Sequence, residues 1–113
     1  MILRVLAVLF LLSSGALAHS QKLKTVPADG AILSEPPEVI EMVFDDPMRI
    51  TFIRLVNSDG EELPLERETG LDASIDFRAF PDNLPPGQYR FEWRGLASDG
   101  HAMQGGFSFE LAD

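Results

Sequence analysis

The sequence predicts an all-β protein, a sandwich of about seven short strands. Three observations carry that expectation. Apolar and polar residues alternate at a period of two in the most apolar segments, no stretch repeats at the helical period, and proline- and glycine-rich turns punctuate the chain at short intervals.

Taken in order, Ser20 to Val26 is short and mixed, and Pro27-Ala28-Asp29-Gly30 closes it with strong turn chemistry: proline presets φ and glycine accepts a positive one. Ala31 to Glu35, ahead of the break at Pro36-Pro37, reads as a loop or one short extended piece. From Val39 to Phe44 the chain alternates, with Ile40, Met42 and Phe44 on one face, which predicts a strand that Asp45-Asp46-Pro47 ends. Ile50 to Val56 predicts a second strand, Asn57-Ser58-Asp59-Gly60 a hairpin turn, and Leu63 to Glu66 an edge strand, since Pro64 cannot donate to a ladder. Ser74 to Phe77 is a short strand followed by a proline-rich loop. Tyr89, Phe91 and Trp93 then share one face while Arg90, Glu92 and Arg94 share the other, and Phe107, Phe109 and Leu111 repeat the pattern. These last two strands, joined by one tight turn, are expected to pair antiparallel, with the aromatic stripe as core.

The first residues stand apart from this pattern. Arg4, the apolar run from Val5 to Leu12 and the small residues from Ser13 to Ala18 read as a secretory signal peptide over 1–18, leaving one domain over 19–113 for export. The run is too short to span a bilayer. Without cysteine, neither a disulfide framework nor a thiolate metal site is available. The formal charge of −9 argues against nucleic acid as a partner, because neutralising phosphates needs an excess of Lys and Arg.

Two histidines stand in the chain, and both fall where a metal ligand is useful. His19 follows Ala16-Leu17-Ala18, a small-x-small cleavage pattern, so that cutting after Ala18 would present its α-amine and imidazole together. His101 closes Ser98-Asp99-Gly100-His101, where Gly100 lets the backbone turn and aim the Asp99 carboxylate and the imidazole at one point. Either histidine alone would pass for an ordinary surface residue. Together, two imidazoles, an amine and a carboxylate make a nitrogen-rich set that suits tetragonal Cu(II). The amine and imidazoles must shed protons to coordinate, so acid competes with the metal. Met48 and Met103 lie near the two acidic turns in sequence, and their expected role is apolar packing.

The ordered elements His19, Pro27-Ala28-Asp29-Gly30, Val39-Ile40-Glu41-Met42-Val43-Phe44, Pro86-Gly87-x-Tyr89-x-Phe91-x-Trp93, Ser98-Asp99-Gly100-His101, Gly105 and Phe107-Ser108-Phe109 resemble the CopC family of periplasmic copper-resistance proteins. The resemblance implies an immunoglobulin-like Greek-key β-sandwich that binds Cu(II) through His19, Asp99 and His101. It adds Asp46 as an outer-sphere or occasional ligand, and a CopD-like inner-membrane protein as partner. Some members carry a Cu(I) site built from methionines and a histidine, but Val56 to Glu66 contains neither residue type, which implies a Cu(II)-only member.

Two other classes of function are open to such a chain. A terminal histidine holding copper with a second histidine on a β-sandwich is also the arrangement of histidine-brace polysaccharide monooxygenases. Against it, Asp99 would occupy a position that oxygen needs, and one tryptophan and one tyrosine make a poor sugar-binding face. The other is a metal-free β-sandwich interaction module, in which His101 would have no measurable role.

Overall fold

The computed structural model describes residues 23–68 and 70–113, so the leader and His19 lie outside the described residues. The described residues form eight strands: β1 (Lys24–Val26), β2 (Ala31–Leu33), β3 (Ile40–Asn57), β4 (Glu62–Leu63), β5 (Leu65–Arg67), β6 (Ser74–Pro81), β7 (Gly87–Ala97) and β8 (Ala102–Leu111). No helix occurs among the described residues. The expected β-sandwich is what forms, with β4 and β5 as two fragments of the predicted edge strand.

The largest departure from expectation is β3. Asp45-Asp46-Pro47 does not end the strand; the backbone stays extended for 18 residues and changes layer instead. Its first half pairs with β6 (Ile40↔Ala79, Met42↔Phe77) and with β1 (Lys24↔Val43). Its second half pairs with β7, from Met48↔Ala97 to Asn57↔Tyr89, and with β4. The register of the β6 pairing shifts between Val43 and Met48, so the corner is a bulge. Asp45, Asp46 and Pro47 are all exposed, so the corner lies at the surface, where a bulge leaves backbone groups within reach of solvent.

One layer therefore contains β1, the first half of β3, β6 and β5, and the other contains β2, β8, β7, the second half of β3 and β4. Pro64 separates β4, paired to β3, from β5, paired to β6, so the proline marks a change of layer. Ala31–Leu33 also does more than expected: β2 pairs parallel with β8 (Ala31↔Phe109, Leu33↔Leu111). The preceding turn sets that pairing, since the Ser108 amide donates to Asp29 Oδ1 at 3.0 Å and the Gly30 amide to the Ser108 carbonyl at 2.7 Å. At the Asn57 to Gly60 turn, Asn57 Oδ1 accepts the amides of Asp59 and Glu61, and Gly60 sits at φ 83°.

Between the layers lies a core of Ile40, Met42, Phe44, Leu55, Phe77, Tyr89, Phe91, Trp93, Phe107 and Phe109, all buried. The predicted period-two stripe supplies it: Tyr89 stacks on Phe109 and Phe91 lies against Phe107, as β7 and β8 pair antiparallel, the expected arrangement, with Tyr89 opposite Phe109 and Phe91 opposite Phe107. Phe44 meets Trp93 edge to face across the layers, with centroids 5.3 Å apart. Tyr89 places its one polar atom by donating its hydroxyl to the Pro85 carbonyl four residues upstream, the corner that recurs in immunoglobulin-like sandwiches.

Burial pushes the Tyr89 hydroxyl above its ordinary pKa of 10.0. A group whose pKa rises on folding holds its proton more tightly in the native state, so its stabilising contribution is whole below the unfolded value and is lost as pH climbs through the folded one. Tyr89→Phe should cost about 1 kcal/mol at neutral pH through the lost hydrogen bond. It should also flatten the decline in stability above pH 10.0, as read by urea denaturation across alkaline pH.

Candidate metal centre

The turn between β7 and β8 is built by the Ser98-Asp99-Gly100-His101 sequence. The Gly100 amide donates to the Ala97 carbonyl at 2.8 Å, Gly100 takes φ 90°, and the Ala97 amide reaches the His101 carbonyl at 2.9 Å. A turn followed by a left-handed glycine matches the twist of the strands it joins. Asp99 serves the turn and the site at once. Its Oδ1 accepts the His101 amide at 3.0 Å, and its Oδ2 meets His101 Nδ1 at 2.8 Å. The two side chains are 55% and 73% exposed, so the pair stands in water at the tip of a hairpin whose base is fixed in the core.

Those contacts act on the carboxylate. The His101 amide, then the His101 imidazole, hold Asp99 below the usual carboxylate range. An anionic oxygen beside an imidazole is a pair of donors for a cation, and a carboxylate on Nδ1 orients the ring toward a ligand through Nε2.

The other predicted ligands are distributed as follows. Asp99 and His101 are brought together as expected. Asp46 sits in the exposed corner of β3, two residues before Met48, which pairs with Ala97; Asp99 stands two residues beyond Ala97, so both occupy the same end of the sandwich. Among the described residues, no three His, Cys, Asp or Glu side chains form a metal-holding group. His19 is outside the described residues. The described chain enters nonetheless at this end, because β1 runs antiparallel to β3 with Lys24 opposite Val43, next to the corner. Met48 is buried in the core and Met103 packs against it, as expected.

Sequence reasoning missed Gly95. A Cβ there would lie 2.8 Å from the Arg49 carbonyl and 3.2 Å from Cγ and Sδ of Met48, so only glycine lets β7 close on β3 just below the hairpin. An isolated glycine inside an alternating strand is the signal that could have revealed it.

A family model, the CopC domain, matches residues 23–112. Copper resistance protein C of Escherichia coli is 28% identical over 107 residues, covering 85% of this chain and 83% of that protein. The crystal structure of CopC from Methylosinus trichosporium OB3b superposes with a TM-score of 0.72 at 20% identity, covering 82% of this chain and 94% of that one. PcoC, a methionine-rich copper resistance protein from Escherichia coli, gives 0.64 at 24% identity, covering 80% and 97%. At these identities the two structures speak to the fold, which they share with this chain.

Two outcomes test the local geometry. A carboxyl titration followed by NMR should place Asp99 below the ordinary carboxylate value of 3.8, and His101→Ala should move it back up. The sign follows: a depressed pKa gives stability that is present above that value and lost as pH falls through the folded one. Gly95→Val should destabilise the domain by about 1–3 kcal/mol in urea, because the new side chain meets backbone instead of a flexible side-chain end.

Proposed function

This chain belongs to the CopC family, and on that premise we propose that it handles copper as a periplasmic Cu(II) carrier or buffer. Its ligands in this reading are the α-amine and imidazole of His19, freed by cleavage after Ala18, together with His101 and Asp99. The observation that carries it is the Asp99–His101 pair, 2.8 Å apart on a turn at the end where the described chain begins. Only a few residues separate His19 from Leu23, the first described residue, so a short span would suffice to bring the new terminus to the pair.

Copper is the cargo, and the donor set fits it. Amine and imidazole nitrogens with one carboxylate suit tetragonal Cu(II), whereas Cu(I) favours thiolate and thioether. Cysteine is absent from the chain, Met48 is buried, and Met103 is only partly exposed. Cu(II) should therefore be released or held far more weakly on reduction. Asp99 has two ways to contribute: it orients His101 through Nδ1, and its oxygen can exchange that hydrogen bond for the metal. Asp46, at the same end, supplies outer-sphere negative charge. With these donors committed to holding the ion, the role is binding and not oxygen chemistry. Delivery to an inner-membrane CopD-like protein is the route the family suggests, and among the described residues no helix is long and apolar enough to cross a membrane.

Native mass spectrometry of the exported protein with Cu(II) tests the reading. We expect a first residue of His19, one copper per chain, and a loss of affinity of about 10-fold or more in His101→Ala. A different first residue, a His101→Ala variant that binds as the parent does, or sustained oxygen consumption with ascorbate and a polysaccharide would each overturn it.

A further inference from the structure

The outer face of the second layer carries a charge opposite to that of the molecule. Arg49 and Arg54 are five residues apart in β3, a spacing that in a regular strand puts side chains on opposite faces. The register shift between Ile50 and Phe52 brings them onto one: Arg49 pairs with Leu96 and Arg54 with Glu92, both outward residues of β7. Arg90 and Arg94 share that face. Four arginines thus gather on one sheet of a chain whose formal charge is −9.

Their pairing leaves positive charge over. Arg54 Nε meets Glu92 at 2.6 Å and Arg90 Nε meets the same carboxylate at 3.4 Å, so one anion serves two cations. Arg94 lies over the Phe52 ring at 5.0 Å, and neither it nor Arg49 makes an ion pair among the described residues. The face is also grooved. Gly106 stands opposite Glu92 with no side chain, and the Arg90 guanidinium lies over it, 2.7 Å from where a Cβ would stand. Beside it runs an open trough of about 370 Å³ lined by Arg54, Arg90, Arg94, Phe52, Gln104 and the shared Glu92.

We propose that this trough is a docking surface for an acidic segment of a partner protein, whose carboxylates pair with Arg54, Arg90 and Arg94 while an apolar neighbour covers Phe52. Charge complementarity selects the occupant. A bilayer or a duplex is an extended anion that would also meet the acidic remainder of this molecule, whereas a short segment lying in the trough faces three arginines against one lining carboxylate, Glu92, at distances below the Debye length of about 8 Å at physiological ionic strength. The volume suits a run of side chains. Arginine forks bind carboxylates bidentately, which gives register as well as attraction.

Fluorescence anisotropy with a labelled oligoglutamate peptide at low ionic strength tests this on the full mature chain. We expect saturable binding that weakens with salt, falls about 10-fold or more in Arg90→Glu/Arg94→Glu, and stays within about 2-fold in Lys24→Glu, a cation on the other layer. Arg94→Ala breaks no ion pair, so it keeps the test decisive should the double variant unfold; it should weaken binding about 3-fold. Absence of binding, or equal losses in Lys24→Glu and the double variant, overturns the proposal. So does equal or tighter arginine-dependent binding to phosphatidylglycerol vesicles, which would make the occupant a membrane. Salt-sensitive self-association abolished by the same reversal also overturns it, since the occupant would then be a second copy.

Discussion

Everything in this fold depends on β3 belonging to both layers. A strand that pairs with β6 and β1 over Ile40 to Val43 and with β7 from Met48 onward cannot let the layers slide, because its own backbone is the hinge between them. The buried residues flanking the corner, Phe44 and Met48, fix it from inside, and Phe44 carries the contact to Trp93 across the core. The three positions between, Asp45, Asp46 and Pro47, are exposed, so the crossing itself lies at the surface. The end of the sandwich that holds the corner also holds the β7–β8 turn, so the geometry of the candidate centre follows from where the strand crosses.

Gly95 belongs to the same constraint. It pairs with Ile50 and leaves room for the Arg49 carbonyl and the Met48 side chain, two residues below the Ala97 that opens the Asp99 turn. The Asp99–His101 contact is internal to its turn, but its position relative to the rest of the chain is a property of the packing beneath it. A binding pair on the tip of a long, continuously paired hairpin inherits the rigidity of the strands below.

The parts legible in the sequence were those whose cause is local. β7 and β8 could be read because Tyr89, Phe91 and Trp93 alternate with charged residues, and their antiparallel pairing followed from the short turn between them. The Asp99–His101 pair was legible because three residues and a glycine contain its whole geometry. The corner at Asp45-Asp46-Pro47 was not, because exposed acids and a proline write the same signal whether a strand stops or merely leaves its ladder. Nor was the parallel pairing of β2 with β8: Ala31 to Leu33 is too short to show a period, and the Asp29 contact that fixes it reaches 79 residues along the chain. The arginine face was hidden twice, by an overall charge of the opposite sign and by a bulge that reverses the phase of β3 between Arg49 and Arg54.

The openness of His101, 73% of whose side chain meets solvent, bears on how a bound ion could leave. A deeply enclosed centre must first open, and its release is as slow as that motion. An imidazole at a hairpin tip is approachable from outside while its carboxylate neighbour still holds it, so an acceptor's donors could enter one at a time as those of the carrier depart. In the copper reading, tightness and speed are thereby uncoupled: the site can hold an ion firmly against dilution and still surrender it promptly to whatever docks against that end.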